Sequence, residues 1–240
     1  MPEADRSSEL ERLESVAAGA RYEEGVNGTM ISYLARVYDR YWAPGASCLE
    51  LGPAEGTFSA VLAERFDDLT LVDGSERFCA MLRERLPSAT VVHALFEDYE
   101  PGRRFGTIVL GHVLEHVDDP PALLRRARAW LEPGGRLFAA VPNARSVHRQ
   151  AAVVMGLLAE EHELNETDHR LGHRRVYDPE SFRAEFHAAG FEIEVFGGFW
   201  LKPVSNAQIE ASWTPEMLDA FMRIGERYPD IAAELYVIAR

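Results

Sequence analysis

The sequence predicts an α/β protein: a parallel sheet covered on both faces by helices. Two observations carry this. Between Ser47 and Val141, short apolar runs of strand length alternate with apolar residues at helical spacing. A glycine-containing turn, Gly52-Pro53-Ala54-Glu55-Gly56, joins the first of those runs to the first of those helices. With 240 residues, 47% of them apolar and 27% charged, the chain holds enough apolar material for one sizeable core. Its net charge of −14 repels a phosphate backbone, so nucleic acid and anionic membrane surfaces are not expected partners.

The elements follow in order. Residues 6–41 read as two helices, the second carrying Met30, Ile31, Tyr33, Leu34, Val37 and Tyr38. Ser47–Leu51 is a buried strand. Phe58, Val61, Leu62 and Phe66 mark one face of a helix, and Leu69–Val72 a second strand. Phe78, Met81, Leu82 and Leu86 mark the next helix, followed by strands at Thr90–His93 and Phe105–Leu110. Asp119 and Pro120 open a helix as N-cap and first residue, with Leu123, Leu124, Ala127, Trp130 and Leu131 as its buried stripe and Pro133-Gly134-Gly135 as its stop. Leu137–Val141 is the fifth strand. Residues 144–177, rich in His and Arg, read as an insertion. Asp178-Pro179 open another helix, closed by Gly190. Phe191–Phe196 is a strand, a loop carries Trp200, Lys202 and Trp213, Thr214-Pro215 start a helix, and Leu235–Ala239 is the last of seven strands.

Cys48 and Cys79 provide neither a disulfide framework nor a Cys-rich metal site, which suits a reducing compartment. The polar start MPEADRSSELERLES lacks the apolar middle of a signal peptide. No apolar run approaches the ~18 residues of a membrane span. A cytoplasmic location is expected.

The chemistry centres on the first strand–turn–helix. In an open α/β sheet, ligands bind beyond the carboxyl ends of the strands, and Gly52 and Gly56 allow a backbone to approach one closely. Asp73 closes the second strand about 20 residues on, where a carboxylate can accept hydrogen bonds from both ribose hydroxyls. These features suit a nucleoside cofactor, NAD included.

A longer run of segments extends this. Leu49-Glu50-Leu51-Gly52…Gly56, Leu71-Val72-Asp73-Gly74-Ser75, Phe105-Gly106-Thr107-Ile108-Val109-Leu110…Val113-Leu114-Glu115-His116-Val117 and Leu131-Glu132-Pro133-Gly134-Gly135-Arg136-Leu137 occur in that order. Together they resemble the class I S-adenosylmethionine-dependent methyltransferases, in particular a small-molecule branch with a Leu-Glu-His-Val segment. The resemblance covers roughly residues 45–142. It implies a Rossmann-like, doubly wound, seven-stranded, mostly parallel sheet, its seventh strand antiparallel beside the fifth. It also implies an N-terminal helical part (1–43) covering the cofactor cleft of a domain spanning 44–240, with the insertion at 144–177 as a lid. By the same resemblance Glu50, Gly52, Ala54, Gly56, Gly74 and Ser75 line the cofactor and Asp73 binds its ribose. Leu95, Phe96 and Glu97 surround the adenine, and Gly111, His112 and Val113 border the sulfonium. Apart from the resemblance, Tyr22 in the N-terminal helices is a candidate cover of the cofactor, with core packing as the alternative. S-adenosylhomocysteine would be the product. Pro53 and Ala54 depart from the family pattern, as do Leu95-Phe96, where many members carry an acid.

Methyl transfer from a sulfonium needs a nucleophile held about 3 Å from the methyl group and in line with the departing sulfur. A base is needed only for a protonated acceptor. Histidine, with an ordinary pKa near ~6.5, is the natural one. Of eight histidines, His116, His169 and His173 are the candidate catalytic residues. His169 and His173 also have the i, i+4 spacing of a helical metal pair, but with no third ligand at clear spacing no metal is expected. Arg170, Arg174, Tyr177, Lys202 and Asn206 are candidate substrate contacts, although Arg170 and Arg174 can equally pair with Glu166 and Asp168. The expected activity is methyl transfer to O or N of a small-molecule acceptor. Its competitors are an NAD-dependent oxidoreductase, a methyltransferase acting on protein or RNA, and a catalytically silent binding fold.

Overall fold

The structure, a computed structural model, describes residues 3–19, 24–42 and 46–240. Two helices, α1 (Glu3–Gly19) and α2 (Gly25–Tyr38), precede the sheet. Then come β1 (Cys48–Leu51), α3 (Thr57–Ala63), β2 (Leu69–Asp73), α4 (Glu76–Arg85), β3 (Thr90–His93), β4 (Phe105–Gly111), α5 (Pro120–Trp130) and β5 (Leu131–Pro142). The chain continues through α6 (Val147–Val154), α7 (Glu166–Leu171), α8 (Pro179–Ala188), β6 (Ile193–Phe199), α9 (Asn206–Ser212), α10 (Pro215–Gly225), a 3₁₀ turn (Pro229–Ile231) and β7 (Glu234–Ala239).

The seven strands form one sheet in the order β3-β2-β1-β4-β5-β7-β6. β1 to β5 run parallel, and β7 lies antiparallel between β5 and β6. Strand alternation divides the core in two. Leu137, Ala139 and Val141 of β5 face α5 and α8, packing with Trp130, Phe182 and Phe186. Phe138 and Ala140 face the other way, toward Tyr38 of α2, Leu62 of α3 and Met222 of α10. Burying a side chain the size of Phe182 or Phe186 contributes about 1.5–3 kcal/mol, so these faces fix which way each helix is turned.

Three local readings are corrected. Leu131 does not close helix α5: its backbone is extended, and it begins β5 by pairing with Phe105. The Pro133-Gly134-Gly135 turn is a bulge inside that strand, before pairing resumes at Arg136, and not a loop ahead of it. The segment after Trp200 is not all loop. Ser205 and Gln208 cap each other's backbone N–H groups and start α9, the S-x-x-Q signature of a capping box. The insertion, too, is ordered by capping. Asn165 accepts from the Thr167 and Asp168 N–H groups, and the Asp168 carboxylate accepts from the Asn165 N–H, which starts α7. Tyr22 lies outside the described residues. Among the described residues, no helix is long and apolar enough to cross a membrane.

Candidate active site

The sheet's direction of growth reverses between β1 and β4, and a cleft opens beyond their carboxyl ends. A cavity of about 290 Å³ occupies it. Its floor is the turn after β1. Gly52 has φ +69°, and a Cβ there would stand 2.8 Å from Cγ2 of Val113, so both conformation and space require glycine. Ala54 also has positive φ, +49°, unusual for alanine. Its N–H is anchored, donating to Oδ2 of Asp73 at 3.2 Å.

Asp73 ends β2. Its other oxygen, Oδ1, accepts from the Ser75 N–H at 2.8 Å, so the buried carboxylate is pinned at the cavity wall. Burial pushes its pKa up to about 6, against the pull of the two backbone donors. Glu50 is buried at the inner edge of the cavity, with the Ser59 hydroxyl donating to it at 2.5 Å. Burial pushes it up to about 8, so it is a neutral acid at pH 7. Leu95, Phe96 and Glu97 form one wall, and Leu13 and Val16 of α1 with Met30, Ile31 and Leu34 of α2 close the other side.

The far end of the cavity is polar. His112, just past β4, has φ +57°, a sterically costly backbone of the kind that clusters at functional sites. Its Nδ1 is 3.3 Å from Glu115 and its Nε2 3.7 Å from Glu234. Burial alone would lower its pKa, but contact with Glu115 and the charge of Glu234 raise it to about 9. Glu115 is fully enclosed, yet neither of its oxygens accepts a hydrogen bond from the described residues. Burial raises Glu234, at the start of β7, to about 7 and lowers His116 to about 4. His173 meets His116 edge to face, ring centroids 4.9 Å apart. Its Nδ1 lies 2.9 Å from Oδ1 of Asp168, whose Oδ2 accepts from Arg149 at 3.0 Å and from the Asn165 N–H at 2.9 Å. Although burial opposes it, these partners hold Asp168 down to about 2.

The structure brings together most of the residues singled out in the sequence. Glu50, Gly52, Ala54, Asp73, Gly74, Ser75, Leu95, Phe96, Glu97, Gly111, His112, Val113, His116 and His173 line the cavity, while Gly56 caps α3 just behind it. His169 and Arg170 stand on the exposed side of α7, outside that lining. Arg174 pairs with neither Glu166 nor Asp168. It donates to the His116 carbonyl at 2.7 Å and to Glu9 of α1 at 2.9 Å, and it pairs with Asp118 at 2.6 Å. Tyr177 is buried and donates to the Leu114 carbonyl. Lys202 lies over the Trp200 ring, its pKa lowered to about 8 by burial. Asn206 donates to Asn27, a cavity residue, and so stands one contact away. Sequence reasoning missed Glu115 and Glu234. Glu115 sits next to His116 in the quoted segment, and that adjacency was the signal available for it. Glu234 carried no local signal.

A pinned carboxylate, a glycine floor that a Cβ would fill, and an apolar wall suit a ribose, a close-lying chain and a base. The fold and cleft together have the form of a protein that takes a nucleoside cofactor, with the cleft beyond the carboxyl ends of a parallel sheet. Residues 22–194 match the methyltransferase domain family, and the chain belongs to it. It is an S-adenosylmethionine-dependent methyltransferase. It is 28% identical over 181 residues to the ubiquinone biosynthesis O-methyltransferase of Xanthomonas euvesicatoria pv. vesicatoria, covering 72% of this chain and 74% of that one. Its fold matches an S-adenosylmethionine-dependent methyltransferase from Mesorhizobium loti (TM-score 0.62, 19% identity, 85% and 96% of the two chains). It also matches the N-methyltransferase NodS of Bradyrhizobium japonicum in complex with S-adenosyl-L-homocysteine (TM-score 0.61, 15% identity, 98% and 97%). The oxidoreductase alternative is not favoured.

Proposed function

We propose that the protein methylates a small-molecule acceptor, at oxygen in the first instance and otherwise at nitrogen. One observation carries this reading. A single cavity has the pinned Asp73 carboxylate in one wall and the Glu115–His116–His173 group in another, with apolar side chains between. S-adenosylmethionine supplies an activated methyl group, so the chain's own work is to bind, orient and exclude water. Asp73 takes the ribose hydroxyls, Leu95, Phe96 and Glu97 the adenine, and the 52–56 and 74–75 backbone the remainder. His112 and Val113, at the end of β4, border the reacting centre. An acceptor hydroxyl must lose its proton, and His116 and His173 are the residues we assign to that step. The backbone carbonyl of Gly172 faces His116 Nδ1 at 3.3 Å and Asp168 faces His173 Nδ1, so Nε2 is the free lone pair in each ring.

α1, α2 and the 144–177 insertion form the cover in this reading, with α1 tied to the insertion by Glu9 and Arg174. The O-methyltransferase relatives favour oxygen over nitrogen, and the charge of −14 favours a small acceptor over RNA. Two buried free thiols, Cys48 and Cys79, support a cytoplasmic location.

Calorimetric titration with S-adenosylhomocysteine and separately with NADH tests the cofactor. Micromolar binding of the first alone is expected, followed by a screen of hydroxylated aromatic acceptors for methyl transfer. Binding of NADH alone overturns the reading.

A further inference from the structure

We propose that Glu115, His116 and His173 form a binding site for one divalent transition-metal ion of the zinc type at the polar end of the cavity. One carboxylate oxygen of Glu115 and one ring nitrogen from each histidine lie within 4.8 Å of one another, and all three residues line the cavity. Zinc and its first-row neighbours take two imidazole nitrogens and one carboxylate readily, with a position left open for a further oxygen.

Three further features fit an ion. The first is Glu115. Its buried carboxylate accepts no well-formed hydrogen bond from the described residues and has His112, with Nδ1 at 3.3 Å, as a charged neighbour, so acceptor capacity is left for a cation. The second is tautomer. The Gly172 carbonyl and the Asp168 carboxylate each face an Nδ1, which puts the proton there and leaves Nε2 of both rings as an electron-pair donor. A carboxylate behind a ligating histidine is the usual outer partner of a metal site. The third is rigidity. Asp168 is itself fixed by Arg149 and the Asn165 N–H, and the Arg174 N–H holds the Glu115 carbonyl at 2.8 Å. The donors would draw in only modestly, since a tetrahedral ion with bonds of about 2.0–2.1 Å holds its ligands roughly 3.4 Å apart.

The site rests on this geometry alone; its part in catalysis rests on the methyl-transfer reading above. A cation there favours the ionised form of an acceptor hydroxyl: the O–H bond breaks, the proton leaves to water, and the oxygen keeps the electron pair. The ring lone pairs then hold the ion in place of the proton.

The test uses the purified full-length protein, stripped with a chelator and titrated with Co²⁺, followed by its visible absorption, and with Zn²⁺ by calorimetry. S-adenosylhomocysteine is titrated in parallel. One equivalent of either ion is expected to bind. Glu115→Gln and His173→Gln should each weaken it by roughly 100-fold or more, Asp168→Asn by about 10- to 100-fold, and His187→Ala not at all. Retained S-adenosylhomocysteine binding shows that a variant is folded. No saturable ion binding by a protein that binds S-adenosylhomocysteine overturns the metal site, as does unchanged ion affinity in both Gln variants. Ion binding without S-adenosylhomocysteine binding overturns the cofactor reading and leaves the metal site standing.

Discussion

Nδ1 of His173 lies 2.9 Å from Oδ1 of Asp168, and both side chains are more than nine-tenths buried. His169, four residues earlier and on α7, is exposed and outside the cavity lining. Spacing alone gives the two histidines equal weight; burial separates them. His173→Ala is expected to lower kcat by roughly 100-fold or more, the scale of a lost proton-handling group. His169→Ala should leave kcat within about twofold. Equal losses in steady-state kinetics would contradict the geometry.

In the proposed reading Asp73 anchors the cofactor. Asp73→Ala removes an ionised acceptor whose hydrogen bonds contribute about 1.5–3 kcal/mol each. S-adenosylhomocysteine affinity should fall by about 100-fold with the circular dichroism spectrum unchanged. Calorimetry showing native affinity would remove the cleft assignment.

Glu50 makes stability depend on pH in a defined direction. Its folded pKa of about 8 stands above the ordinary 4.5, so between those values the native state keeps a proton that the unfolded chain has released. Its contribution is complete below pH 4.5 and is lost as pH rises through 8, by at most about 1.4 kcal/mol per pH unit. Glu50→Gln keeps an acceptor for the Ser59 hydroxyl and cannot ionise. Without cofactor, the Tm of the variant should decline less between pH 5 and 8 than that of the wild type, a comparison that calorimetric scans make directly.

Arg174 ties α1 to the segment that carries His116. It is about one-third exposed, so its ion pair with Glu9 is weak by itself, on the order of 1 kcal/mol or less. Its bond to the His116 carbonyl adds to that. Arg174→Ala should raise the S-adenosylhomocysteine Kd by roughly three- to tenfold and speed hydrogen exchange in α1, with the sheet unaffected. Unchanged exchange in α1 would mean its other contacts, Leu13 and Val16 and the Glu14 and Arg6 side chains among them, hold it without Arg174.

Much of the fold was legible in local signals. Asp119-Pro120 and Asp178-Pro179 marked the starts of α5 and α8, and the structure has the caps there. α9 was missed because its Ser205 and Gln208 signal lies in a stretch without a strong apolar stripe. Leu131 was misplaced because an apolar residue at the end of a helical stripe fits a helix and a buried strand equally well.

The sequence by itself determined the order of the seven strands and of the helices between the first five, the glycine floor and Asp73. These depend on neighbours within one strand–turn–helix unit, where spacing along the chain equals spacing in space. Only the tertiary structure decided that Glu115 and His116 after β4, His173 after α7 and Glu234 at the start of β7 share one end of a cavity. Insertion of β7 between β5 and β6, in a register that sets Glu234 opposite Pro142, brings that last carboxylate to His112. Periodicity tells which face of an element is apolar. It does not tell which distant element that face will meet, and the polar cluster is made where those elements meet.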